Sequence, residues 1–182
     1  MPAQGYDIIT IGGGIAASAL AKAMAEQGAK VLVLEREVKF KDRVRGEGLV
    51  CWGGGEAREL GIYELLKKSC GHDVPFVESG MGLRDLTSTT PQRLPLLSFP
   101  HQVMQETLLA AAEQAGAEVR RGVTVEQIET GKTPAVITEE GTANVSRRVW
   151  LLPPMAAGQL HENGLASQFR NNRIPTIWPE CF

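Results

Sequence analysis

Residues 6–35 constrain this chain more than any other stretch. An apolar run, Ile8 to Ile11, meets Gly12-Gly13-Gly14, an alanine-rich stretch follows, and a second apolar run, Val31 to Leu34, ends at Glu35. Short continuous apolar runs of this kind fit strands covered on both faces. Gly12 permits a tight turn off the first strand, Gly14 leaves its backbone open to close approach, and Ala17 is small enough to keep the following helix against the sheet. That helix opens at Ile15 with unpaired N–H groups and the positive end of its dipole. Strand, glycine turn, helix and strand in this order predict a parallel β-α-β unit that seats a pyrophosphate on the helix start, with Glu35 accepting hydrogen bonds from ribose hydroxyls. A glycine-rich turn in an ordinary α/β unit, with Glu35 merely solvated, is the alternative. The acid's distance from the glycines favours dinucleotide binding.

The chain has 182 residues, enough for one domain with its own core. Its 19 basic and 21 acidic side chains, a net charge of −2, argue against a nucleic acid or an anionic membrane as partner. Three widely spaced cysteines, Cys51, Cys70 and Cys181, suggest reduced thiols in a cytoplasmic protein. They have no metal-ligand spacing with His72, His101 or His161, so no metal site is expected. The first residues carry no basic-then-apolar leader pattern. The apolar stretch from Ile8 is interrupted by glycines and Lys22, so no membrane span is expected.

Beyond Glu35 a charged loop runs from Arg36 to Glu47. The spacing of Leu60, Ile62, Leu65 and Leu66 predicts a helix from about Gly55 to Ser69. Residues 74–98 mix Pro, Gly, Ser and Thr with short alternating runs and read as β-hairpins or a loop excursion. Gln102 to Gln114 predicts a strong helix with Met104, Leu108, Leu109 and Ala112 on its core stripe and Gly116 as terminator. Ala117–Arg121 and Gly122–Glu129 read as strand, turn and strand, and Ala135–Thr138 with Val145–Leu152 as a further β-ribbon. Trp52 fits a half-buried aromatic better than a ring packed near a cofactor, and Gly53-Gly54-Gly55 a close backbone approach or a hinge.

Taken as a series, these residues resemble the FAD-binding domain of aromatic-hydroxylase-type flavoprotein monooxygenases and their geranylgeranyl-reductase relatives. The resemblance rests on Gly12 to Ala17, Glu35-Arg36, Arg43 to Leu49, Glu59 to Ile62, the helix from Met104 to Ala117, and Val123 to Ile128. It covers about residues 5–149 and implies a Rossmann-like three-layer α/β fold with a parallel central sheet and a small β-ribbon. It implies FAD held by Gly12, Gly13, Gly14, Ile15, Ala16 and Ala17, with Gly12, Gly14 and Ala17 facing the pyrophosphate and Glu35 on the adenosine ribose. Arg36 would lie near the adenine, the loop of Arg43, Arg45 and Gly46 along the ribityl and pyrophosphate side, and the Val125 backbone against the adenine. Where the family often opens its helix with arginine, this chain has His101 and Gln102, a departure that weakens one phosphate contact. Taken without the resemblance, the arginines fit a solvated loop, and His101 fits a surface histidine at a helix start as well as a ligand contact.

The resemblance divides the chain into a domain of residues 1–149 and an atypical tail of residues 150–182. The family continues into an Asp-Gly segment, a later Gly-Asp segment and a substrate domain; this tail matches none of them. We read the tail, as a hypothesis that the coding DNA would settle, as the product of a shifted reading frame. With each codon started at the third base of the written one, the Met155–Ala156 junction forces glycine and the Pro154–Met155 junction permits aspartate. The tail's apolar residues, among them Trp150, Leu151, Phe169 and Trp178, suggest burial against a second copy of the chain. Two functions follow: a flavin-dependent oxidoreductase of monooxygenase descent, reduced by NADH or NADPH, or a truncated FAD-binding module without specific activity. NAD in place of FAD fits Gly12 to Ala17 equally well and is disfavoured by the helix and ribbon that follow. No side chain reads as a general acid, base or nucleophile.

Overall fold

A computed structural model describes residues 5–42, 47–80, 82–129 and 135–138, and the backbone of 141–145. In chain order the elements are β1 (Gly5–Tyr6), β2 (Ile8–Ile11), α1 (Ile15–Glu26), β3 (Val31–Glu35), β4 (Gly48–Leu49), α2 (Cys51–Glu59), α3 (Tyr63–Ser69), β5 (His72–Val74), β6 (Phe76–Ser79), β7 (Gly82–Asp85), α4 (Leu86–Thr89), β8 (Leu96–Ser98), α5 (His101–Gln114), β9 (Glu118–Arg121), β10 (Val125–Glu129), β11 (Ala135–Thr138) and β12 (Gly141–Val145).

The apolar runs form the expected parallel sheet, ordered β2-β3-β9, with Ile8 opposite Val31 and Leu32 opposite Glu118. Alternation along its strands builds the layers. Ile8, Val31 and Val33 pack on Ala21 and Ala25 of α1 and on Leu109 and Ala112 of α5. Ile9, Leu32 and Leu34 face the other way, onto Tyr6 and Val136 of the second sheet and Val123 of the turn before β10. That sheet, ordered β1-β12-β11-β10, is the small ribbon of the sequence reading with β1 added along its edge. A side-chain cluster ties β1 to β9: the Tyr6 hydroxyl donates to Glu118 (2.6 Å), which also accepts from Arg120 Nε (2.7 Å). Burial pushes the Tyr6 phenol up, and the Glu118 carboxylate adds to that shift.

Several expectations need correction. The helix predicted over 55–69 is two helices, because Gly61 at φ +68° closes α2; its N–H donates to Arg58 and that of Ile62 to Ala57. The glycines at 53–55 lie inside α2, so they form no hinge. Trp52 is 65% exposed rather than half-buried. The strand, turn and strand over 117–129 is present, with β9 and β10 entering different sheets; Ala135–Thr138 pairs with Gly141–Val145, and 146–152 of the expected partner strand lie outside the described residues. The excursion is β5, the β6–β7 hairpin, α4 and β8. Among the described residues no helix is long and apolar enough to cross a membrane.

Candidate dinucleotide site

The three parallel strands point their C-terminal ends to one place, and the glycine turn and Glu35 meet there. Gly12 leaves β2 at φ +91°, a conformation that disfavours any side chain, and its N–H donates to the Leu34 carbonyl at 2.7 Å. Gly13 and Gly14 then differ sharply. A Cβ on Gly13 would sit 3.1 Å from Leu109 and 3.3 Å from the Glu35 carboxylate, whereas one on Gly14 would meet nothing within 4 Å. Gly13 is therefore a packing glycine, and Gly14 is the one that opens a cradle.

Gly14 is also the N-cap of α1 and offers no side-chain cap, so the first N–H groups of the helix are left for a ligand. Ala17 is buried as expected, Ile15 is partly buried against the helical core, and Ala16 is exposed. Ser18, which the sequence reading missed, fixes the turn from beneath. Its hydroxyl donates to the Gly13 carbonyl (3.0 Å) and its N–H to the Gly14 carbonyl (2.9 Å). A serine one turn into an alanine-rich helix was the available signal.

Glu35 is only 7% exposed. One carboxylate oxygen accepts from the Gly13 N–H at 2.5 Å and the other from the Glu37 N–H at 2.8 Å. Each oxygen keeps a further lone pair, so the acid is oriented by the glycine turn while still able to accept from ribose hydroxyls. The Glu35 carbonyl accepts from Val123 N–H (3.1 Å), which brings the turn into β10, and so Val125, beside the end of β3. Val125 itself pairs with Thr138 at an irregularity in the β10–β11 ladder.

Arg36 is exposed, its guanidinium 4.0 Å from Glu37. Arg43, Arg45 and Gly46 lie outside the described residues, as does the tail from 150. His101 opens α5 half-buried, and its Nδ1 is sealed from solvent with no hydrogen-bond partner among the described residues. Gln102 reaches the loop after β3, where its amide donates to the Phe40 carbonyl at 2.6 Å.

No protein-family model matches the chain. It is 31% identical to a rifampicin monooxygenase of Streptomyces venezuelae over 136 residues, 70% of this chain and 28% of the relative. With a squalene epoxidase of Schizosaccharomyces pombe it shares 48% identity over 68 residues, 37% of this chain and 15% of that protein. Its fold superposes on the OxyS anhydrotetracycline hydroxylase from Streptomyces rimosus with a TM-score of 0.63 at 26% identity, covering 81% of this chain and 31% of the hydroxylase. The chain resembles an FAD-binding domain of the monooxygenase type. It thus spans under a third of the length of each of these proteins. In this chain the glycine turn, the capless start of α1 and the Glu35 carboxylate stand together.

Proposed function

We propose that this chain binds FAD by its adenosine and pyrophosphate half and serves an FAD-dependent oxidoreductase of the monooxygenase kind. One observation carries the reading: the Gly13 N–H holds the buried Glu35 carboxylate beside the open face of Gly14 at an uncapped helix start. The α1 N–H groups would receive the pyrophosphate, Glu35 the ribose hydroxyls, and Arg36 and the Val125 backbone the adenine side. The loop carrying Arg43, Arg45 and Gly46, with His101 at the start of α5, would line the far side. Bound FAD would supply the redox chemistry, with NADH or NADPH as reductant. The protein's own part is to bind and orient it.

The visible spectrum of the purified chain tests this. Flavin absorbance, with FAD released on heating, supports the reading; a colourless protein that takes up no added FAD overturns it. Consumption of NADH or NADPH by the yellow protein tests the reductant. A homo-oligomer formed through residues 150–182 remains part of the proposal, and a single monomeric mass by light scattering would remove it. Cytoplasmic residence rests on the thiols, of which Cys51 and Cys70 are both free.

A further inference from the structure

Five positions beyond Glu35, Phe40 is held from three sides. Its ring is buried in the core between the sheet and α5. Its N–H donates to Glu106 Oε1 at 3.0 Å, and its carbonyl accepts from Gln102 Nε2 at 2.6 Å. Gln102 and Glu106 lie one turn apart on the same helix. Together they satisfy both backbone groups of one loop residue, as a neighbouring strand would.

Arg121, at the end of β9, completes the clamp. Its guanidinium donates to both Glu106 oxygens, at 2.5 and 3.2 Å, and to the Val38 carbonyl at 3.1 Å. The same group lies 4.9 Å over the Phe40 ring. Burial alone would push the Glu106 carboxyl up, but the Arg121 and Phe40 hydrogen bonds outweigh it and hold it below the ordinary carboxylate value. The acid is therefore charged in neutral solution, and its bonds are of the strong, charge-assisted kind. The sheet does not need these contacts, since β3 and β9 pair through their own backbones.

We infer that Glu106 and Arg121 are positioning residues for the cofactor, fixing residues 36–42 so that the Glu35 carboxylate and Arg36 stand ready before the adenosine half arrives. The inference rests on the proposed FAD binding and adds to it a determinant of affinity remote from the glycine turn. The link to the site is direct: the loop starts at Glu35, whose second oxygen accepts from Glu37 N–H within the clamped stretch. A loop ordered in advance loses no freedom on binding, so releasing it weakens affinity without removing a ligand contact.

The test measures FAD affinity by flavin fluorescence and amide exchange across the full chain, in the wild type and in Glu106→Ala, Glu106→Gln and Arg121→Lys. Glu106→Ala is expected to raise the FAD Kd about tenfold, equivalent to about 1.4 kcal/mol. Glu106→Gln should raise it less, because the amide oxygen still accepts from Phe40 N–H. Arg121→Lys keeps the charge but loses the fork, and should raise it about threefold; this milder change serves if the alanine variant does not fold. Exchange in residues 36–42 should rise in the same order while α1 and α5 stay protected. A Kd unchanged in variants whose loop exchange has risen overturns the inference, and so does a loss of affinity that tracks exchange rising throughout α5 and β3. A wild type that binds no FAD removes the functional reading and the inference together, whereas a wild type that binds beside variants that match it removes the inference alone.

Discussion

The chain contains two runs of three glycines, and they do opposite things. At 12–14 the run links a strand to a helix, with Gly12 in the left-handed region and Gly14 facing empty space. At 53–55 the run lies inside α2, where glycine brings the helix close to its neighbours. A Cβ on Gly54 would stand 3.2 Å from Leu94 and 3.3 Å from the Tyr63 ring. The first run leaves space open at Gly14, and the second removes space between packed neighbours. Identical letters acquire their meaning from what precedes them: an apolar strand in one case, a short strand and a helix cap at Val50 in the other.

Substitutions can break this contrast. The largest effect is expected from Gly12→Val, which forces a branched side chain into φ +91°; stability should fall by about 3 kcal/mol in urea unfolding, and FAD should no longer be retained. Gly14→Ala comes next. Its φ of −69° suits alanine and its Cβ meets no protein atom, so unfolding should be unchanged while the FAD Kd rises about tenfold. A loss of stability in that variant would mean that the space beside Gly14 is not a cradle. Gly54→Ala should destabilise by about 1 kcal/mol, because Leu94 and Tyr63 are buried and cannot yield, which outweighs the better helix propensity. Gly55→Ala should do the reverse: its Cβ meets only Gln92 at an ordinary 3.5 Å, so the helix gains about 0.5 kcal/mol and FAD binding is unmoved.

The β2–α1–β3 unit was legible because its signals are local: each residue's neighbours in sequence are its neighbours in space. The end of α5 was legible for the same reason, with Gly116 at φ +104° in the motif that Gly61 also adopts. Gly61 is hidden in the sequence because the apolar spacing continues through it from Leu60 to Leu66, and periodicity masks the stop. The grip of Glu106 on Phe40 spans 66 positions and carries no periodic pattern, so only the folded chain could reveal it. The exposure of Trp52 had no local signature either, since aromatic residues at a helix start are buried or exposed by what packs opposite.

The parallel pairing of β1 with β12 joins Gly5 to Asn144 and Tyr6 to Val145. Such a contact closes a loop of nearly the whole described chain, so it is a late event in folding and a slow one. The β2–α1–β3 unit can assemble from local contacts alone, and Tyr6 of β1 already has Ile9, Leu32 and Leu34 to pack on, but the backbone groups of β1 find their ladder only when β12 arrives. The two ends of the described chain thus meet in one sheet, and the ribbon is closed by its most distant pair of strands.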